Sequence, residues 1–256
     1  MTGKITFVKP VEARGVRGTI AIAEIFGPTV QGEGAVIGKP TVFVRTGGCD
    51  YRCSWCDSKF AVLPEFRSTW MRMSPDEIFA EVKRLSPQPI LVTLSGGNPA
   101  LQPLGGLIRL GKAEGYRFTI ETQGTIIRDW FRELDHLTLS PKPPSSAMET
   151  NWENLERCTR AGGPETETVL KVVVFDEQDY IYTRKVGHRF PSIPMYLQVC
   201  NDQPSDPGPD DRIEPDVNKL LERYEWLAEK VVSDGWNEAT VLPQLHVLVW
   251  GNKRGV

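Results

Sequence analysis

Apolar residues gather in six runs of strand length, TVFVR (41–45), ILVTLS (90–95), FTIET (118–122), HLTLS (136–140), TVLKVVVF (168–175) and MYLQV (195–199). The runs read as continuous rather than alternating, the pattern of strands covered on both faces. Most intervals between them can hold a helix. The clearest is SPDEIFAEVKRL, where Ser74 can cap the helix, Pro75 suits its first position and Glu77 completes a capping box. Further helices are expected to begin near Pro103, Ile126, Asn151 and Glu177, and a longer amphipathic one to run from about Pro215 to Val232, ahead of Gly235. Strand and helix therefore alternate, which predicts an α/β fold with a parallel sheet covered by helices. NDQPSDPGPDDR (201–212), rich in Pro and Asp, predicts an exposed loop inserted within a single domain spanning 1–256. TVLPQLHVLVWGNKRGV, at the C-terminal end, predicts one more short strand and an irregular tail.

Composition narrows the class. The chain is 40% hydrophobic and 25% charged, as an ordinary folded enzyme is, which excludes a disordered tail or a fibre. Thirty Lys and Arg against 33 Asp and Glu leave a formal charge of −3, so no basic field gathers nucleic acid or an anionic membrane. No window approaches the roughly 20 apolar residues of a membrane span, and MTGKITFVKP lacks the apolar centre of a signal peptide, so a cytoplasmic protein is expected. The five cysteines are an odd number, and three fall within eight positions, which suits reduced thiolates serving a metal better than a disulfide framework.

GGCDYRCSWCDS sets Cys49, Cys53 and Cys56 at C-x3-C-x2-C directly after TVFVR. Structural zinc normally takes four Cys or His ligands, typically as two separated pairs. Here no second pair exists: Cys158 and Cys200 stand alone, and the histidines are His136, His188 and His246. A [4Fe-4S] cluster held by three cysteines keeps one iron open for a small molecule, which implies chemistry rather than electron storage.

With Trp55 just before its third cysteine, this loop resembles that of the radical S-adenosylmethionine (SAM) superfamily. The resemblance implies that SAM chelates the open iron and that one electron from the reduced cluster breaks its S to C5′ bond, releasing a 5′-deoxyadenosyl radical. Ser95-Gly96-Gly97-Asn98-Pro99 is similar to the superfamily's GGEP motif, which contacts the SAM amino group, although alone it would read as a turn. Its glycines are expected to admit close backbone approach to the ligand. Asn98 replaces the Glu, and its amide is expected to accept a hydrogen bond from the SAM ammonium without the carboxylate's charge.

EIFGPTVQGEG (24–34), FVRTGGC, CDS, ETQGT, SPKPP, YLQV and PQLHVLVWGNKRGV then follow in an order that resembles the 7-carboxy-7-deazaguanine synthases over nearly the whole chain. That resemblance implies a partial (β/α) barrel of about six parallel strands, radical SAM type, with an N-terminal extension and a C-terminal tail. It implies conversion of 6-carboxy-5,6,7,8-tetrahydropterin to 7-carboxy-7-deazaguanine with loss of ammonia. Substrate binding falls on Val30, Gln31, Gly32, Glu33, Arg45, Ser95, Glu121, His246 and Val256, with Arg45, Glu121 and His246 as catalytic residues. SAM falls to Trp55, Asp57, Gly97, Ser140, Lys142 and Gln198, and the cluster to Cys49, Cys53 and Cys56. Ser58 stands where the family's Thr binds a catalytic Mg²⁺ that also touches substrate, and its hydroxyl suits that hard cation. Without the resemblance, Ser58 would be a surface hydroxyl, Arg45 a structural cation, Lys142 a solvated strand-end base and His246 a core residue. An external one-electron donor of flavodoxin or ferredoxin type and a homodimer are also implied.

Two rivals share the cysteine loop. A glycyl-radical-enzyme activating protein needs a groove for a protein substrate, whereas QGEG, ETQGT and the His246 tail favour a small planar one. A non-catalytic iron–sulfur or zinc module leaves SGGNP, SPK and the strand scaffold without a purpose.

Overall fold

Parallel strands need crossover connections, and the observed chain supplies them in sequence. The computed structural model describes residues 18–201 and 214–256, so the loop expected at 201–212 lies, Asn201 apart, outside the described residues. The strands are β1 (Ile20–Val30), β2 (Pro40–Thr46), β3 (Met71–Met73), β4 (Leu91–Gly96), β5 (Arg117–Thr122), β6 (His136–Leu139), β7 (Glu167–Val173), β8 (Met195–Gln198) and β9 (Ala239–Leu242). The helices are α1 (Lys59–Val62), α2 (Pro75–Leu85), α3 (Gly105–Ala113), α4 (Trp152–Thr159), α5 (Glu177–Arg189), α6 (Val217–Ser233) and α7 (Leu245–Trp250).

One sheet runs β3-β1-β2-β4-β5-β6-β7-β8-β9, and its two ends do not meet, so it is a barrel left open. β2 and β4 to β9 are parallel, while β1 and β3 add an antiparallel edge. The six apolar runs are β2 and β4 to β8, and the short strand expected in the tail is β9. β1 went unforeseen because Gly27-Pro28 interrupts it. The register shifts between Phe26 and Thr29, beyond the Ile20–Ile22 stretch that also pairs with β3, so the proline costs no ladder bond on that side.

The capping box forms as expected, with Ser74 and Glu77 each bonded to the other's backbone N–H. Asn151, Asp176 and Asp216 cap α4, α5 and α6 in the same way through their side chains. No α-helix begins at Ile126. Residues 123–125 are held at the cysteine loop and Asp135 closes on Phe118, which leaves room only for a 3₁₀ turn at Asp129–Glu133 that buries Trp130 and Phe131. The tail is not irregular either, since Leu245–Trp250 forms α7.

The strands do alternate. Val42, Val44, Val92, Leu94, Phe118, Ile120, Leu170 and Val172 pack with Ile78 and Val82 of α2, Leu107 of α3 and the preceding Leu104 in the core. Their neighbours Phe43, Arg45, Thr93, Ser95, Glu121, Lys171 and Val173 face the barrel interior. Polar groups therefore line the inside of an apolar shell.

Gly96 fixes the rim where β4 ends. Its φ is +131°, and a Cβ there would sit 2.2 Å from the Thr46 carbonyl oxygen. Gly96→Ala is expected to lower stability by roughly 2–4 kcal/mol through strain and collision, read from urea midpoints.

Candidate active site

All parallel strands end on one rim, and the loops leaving it surround a cavity of about 210 Å³. Into it project Cys49, Cys53, Cys56, Trp55, Asp57 and Ser58 after β2, Ser95 and Gly97 at the end of β4, Glu121 on β5, and Lys142 after β6. Val30, Gln31, Gly32 and Glu33 enter from the end of β1, Arg45 from β2, and His246 and Val256 from the tail. Seventeen positions foreseen from sequence, cluster cysteines included, thus share one cavity. Ser140 and Gln198 do not line it. The Ser140 hydroxyl accepts from Lys142 Nζ at 3.0 Å, and the Gln198 side-chain oxygen accepts from Gly34 N at 3.3 Å, so both act behind the wall.

Asp50 anchors the cysteine loop. Its Oδ1 accepts from Asn98 Nδ2 at 2.8 Å and Gln123 Nε2 at 2.6 Å, and its Oδ2 from Thr125 Oγ1 at 2.5 Å. On the far side Ser54 N donates to Ser146 O and Trp55 Nε1 to Ser145 Oγ, both at 3.0 Å. The three thiols are free and half-buried. Burial pushes all three upward, and with the Asp57 carboxylate beside it Cys56 reaches about 11. Thiols that resist ionisation alone fit a cationic iron centre, whose binding would draw off their protons. Among the described residues no three His, Cys, Asp or Glu side chains gather as a single ion needs. Three separated thiols suit a cluster, where each takes its own iron.

Asn98 departs from expectation. It is fully buried, accepts from Ala100 N at 3.1 Å and Thr122 Oγ1 at 2.7 Å, and donates to Asp50 and Thr125. Both acceptor and both donor sites of its amide are thereby used, which leaves no lone pair for a SAM ammonium. A carboxylate here would face Asp50. Gly97 packs closely on the cysteine loop, since a Cβ there would meet Gly48 O at 2.1 Å, while its backbone lines the cavity.

The opposite wall carries charge. Arg45 Nε donates to Glu24 Oε1 at 2.7 Å, and Arg254 Nε to Glu24 Oε2 at 2.8 Å. Lys171, 1% exposed, donates to Glu33 Oε2 and lies 2.7 and 2.8 Å from the two oxygens of Glu121. Gln244 Nε2 donates to Glu33 Oε1 at 2.8 Å, and His246 Nε2 lies 3.9 Å from that oxygen. Burial would raise Glu33, but Lys171, His246 and these hydrogen bonds outweigh it and lower it to about 2. Lys171 is raised, because Glu121 and Glu33 overcome its burial. Ser95 Oγ is buried with no hydrogen-bond partner, which leaves it for a ligand.

Glu24, Asp50, Gln123, Lys171 and Gln244 escaped the sequence reading. Only Lys171 carried a local signal, a charge inside the apolar run TVLKVVVF.

Residues 43–181 match the Radical SAM superfamily. Over 242 residues, 93% of this chain and 99% of the relative, the chain is 46% identical to a 7-carboxy-7-deazaguanine synthase of Bacillus cereus. It is 47% identical over 243 residues, 93% of the chain and 98% of the relative, to that of Bacillus subtilis. The chain belongs to the 7-carboxy-7-deazaguanine synthase family. It is therefore a radical SAM lyase of 7-deazapurine (queuosine-type) synthesis, with a [4Fe-4S] cluster and SAM as cofactors. The crystal structure of QueE from Escherichia coli has the same fold, with a TM-score of 0.65 at 22% identity over 89% of this chain and 95% of that one. Members of this family need a reductant and act on a small molecule.

Cys49→Ala, Cys53→Ala and Cys56→Ala are each expected to abolish cluster loading. Cys158 is buried on α4, and Cys200, beyond β8, lines the cavity but is not part of the cysteine loop, so their Ser variants should retain iron. Full iron in anaerobically reconstituted Cys53→Ala would refute the assignment.

Proposed function

We propose that the cavity takes 6-carboxy-5,6,7,8-tetrahydropterin and releases 7-carboxy-7-deazaguanine and ammonia. The charges in the cavity carry this reading: the Arg45 guanidinium and the carboxylates of Glu33 and Glu121 line one space, to which the tail contributes His246 and Val256. A small planar molecule with an anionic group at one end and N–H donors at the other matches it. Arg45 has its Nε on Glu24, so its Nη1/Nη2 edge remains to hold the substrate carboxylate in a bidentate pair. Glu33 and Glu121 accept from the pterin's donor edge, and Gln31, Ser95 and His246 supply further contacts. Cluster and SAM, when bound, supply the radical chemistry at the substrate's C6, and the pocket's part is to hold that carbon in reach and keep competing hydrogen donors away.

Cys49, Cys53 and Cys56 would hold the cluster, and Trp55, Asp57, Gly97 and Lys142 would hold SAM, with Ser140 fixing Lys142 and Gln198 bracing the wall. Ser58 is nearly buried beside the cluster loop, and its hydroxyl donates to Asp57 Oδ1 at 2.9 Å. A hydroxyl and a carboxylate side by side offer the hard oxygens that Mg²⁺ prefers, and the ion would steady charge on the substrate. With this reading come a flavodoxin- or ferredoxin-type electron donor, a homodimer, a cytoplasmic setting and one functional domain over 1–256, the last supported by the single sheet. Among the described residues no helix is long and apolar enough to cross a membrane.

The deciding experiment incubates the reconstituted enzyme anaerobically with reductant, SAM and the carboxypterin. Product identified by mass is expected, and SAM cleavage without it would overturn the reading. Arg45→Lys keeps the charge but loses the fork, so substrate affinity should fall about tenfold or more while SAM affinity holds. Ser58→Ala should lose Mg²⁺ stimulation yet retain cluster and SAM cleavage, and Ser58→Thr should keep all three. A parental Mg²⁺ response in the alanine variant would remove Ser58 as a ligand.

A further inference from the structure

Lys171 is a buried charged group at the site to which the proposed reaction gives no task. Its ammonium lies on the inner face of β7, 1% exposed, between Glu33 from the end of β1 and Glu121 from β5. The three protons of the ammonium are met by Glu33 Oε2 and by Glu121 Oε1 and Oε2, so none is left to point at a ligand. Both carboxylates, 17% and 31% exposed, keep an open side toward the cavity. Each oxygen has a second lone pair, and Gln244 occupies one on Glu33.

We propose that Lys171 is a positioning and specificity residue, which clamps Glu33 and Glu121 as two ionised acceptors set for the 2-amino and ring N–H edge of the substrate. This rests on the pterin reading above and deepens it. Two carboxylates drawn to one ammonium would, without it, repel in a water-poor cavity, and one would take up a proton. A protonated carboxyl turns an O–H toward the substrate's N–H groups and so exchanges an acceptor for a donor. Lys171 therefore determines the hydrogen-bonding character of that wall without touching the substrate. It also keeps the acidic pair at a net charge of −1, which accepts a neutral amino edge and disfavours an edge of carbonyl oxygens facing it.

The test is anaerobic binding of two probes to the cluster-loaded enzyme with SAM: 6-carboxytetrahydropterin, and its analogue with oxygen in place of the 2-amino group. The parent is expected to prefer the amino compound by on the order of 100-fold, the worth of hydrogen bonds to a charged acceptor. Lys171→Met should lower affinity for the amino compound and reduce the preference to below about tenfold, with iron content and SAM binding retained. Lys171→Arg, which keeps the cation, should recover part of the preference. Since Lys171→Met leaves two carboxylates without a cation and can fail to fold, the charge-balanced Lys171→Met/Glu121→Gln pair is measured beside it. That pair should keep the parent's iron content and a cooperative thermal unfolding transition but not regain the preference. A parental preference in either folded methionine variant overturns the proposal while leaving the substrate reading intact. Failure of the parent to bind the amino compound overturns both, so the two failures are told apart.

Discussion

An ammonium withdrawn from water inside a half-open barrel persists only where carboxylates replace its solvation, and that requirement links most of this molecule. Removing one partner of such a buried pair costs several kcal/mol, because the survivor is left charged and unpaired. Lys171 meets it with Glu121, two strands away in the sheet, and Glu33, brought in by the antiparallel edge that precedes the parallel strands. Glu33 is in turn held by Gln244, whose own side-chain oxygen accepts from Asn201 N at 2.8 Å, so the end of β8 and the tail join the same network. Edge, sheet and tail are thereby fixed by one charge, and the ionised state of the acceptor wall follows from that geometry.

A second polar hub fixes the opposite side of the cavity. Asp50 receives three side-chain donors from the loops after β4 and β5, one of them from Asn98, whose remaining donor goes to Thr125 and whose oxygen accepts from Ala100 and Thr122. The cysteine loop is therefore tied to the ends of neighbouring strands by groups that no ligand need satisfy. Gly96 and Gly97 lie so close to Thr46 and Gly48 that any side chain would force loop and strand apart. The loop's shape is set before a cluster arrives, which is the condition for three thiols to meet three irons without a large ordering cost.

What the sequence revealed follows from where the signals were local. Three cysteines in eight positions, a capping box around Ser74 and runs of apolar residues each declare themselves within a few positions; the box forms, the runs are strands, and the three cysteines line one cavity. Charge partners do not declare themselves. Glu33 and Lys171 are 138 positions apart and Glu33 and Gln244 are 211, and no periodicity links such pairs. The inner face was misread for a related reason: Thr93, Ser95 and Thr119 are short or β-branched and pass as strand formers, so an alternation of core and cavity positions looked like an unbroken apolar run. Asn98 was misread because motif similarity gave it a ligand, whereas its neighbours had already claimed it.

The tail shows how these constraints combine. Gly32 leaves room for His246, whose ring atoms would lie 2.3 Å from any Cβ there, and Leu245 N donates to Gly32 O at 3.0 Å. Arg254 lies 3.4 Å from the centre of the Phe60 ring and shares Glu24 with Arg45. One carboxylate thus orients the guanidinium proposed for the substrate and anchors the tail that also lines the cavity. Two cations on a single acid disperse its charge, so Arg45 keeps enough of its own to attract an anion. Residues far apart in sequence are held to one purpose here because neither arginine can move without leaving the other's partner half satisfied.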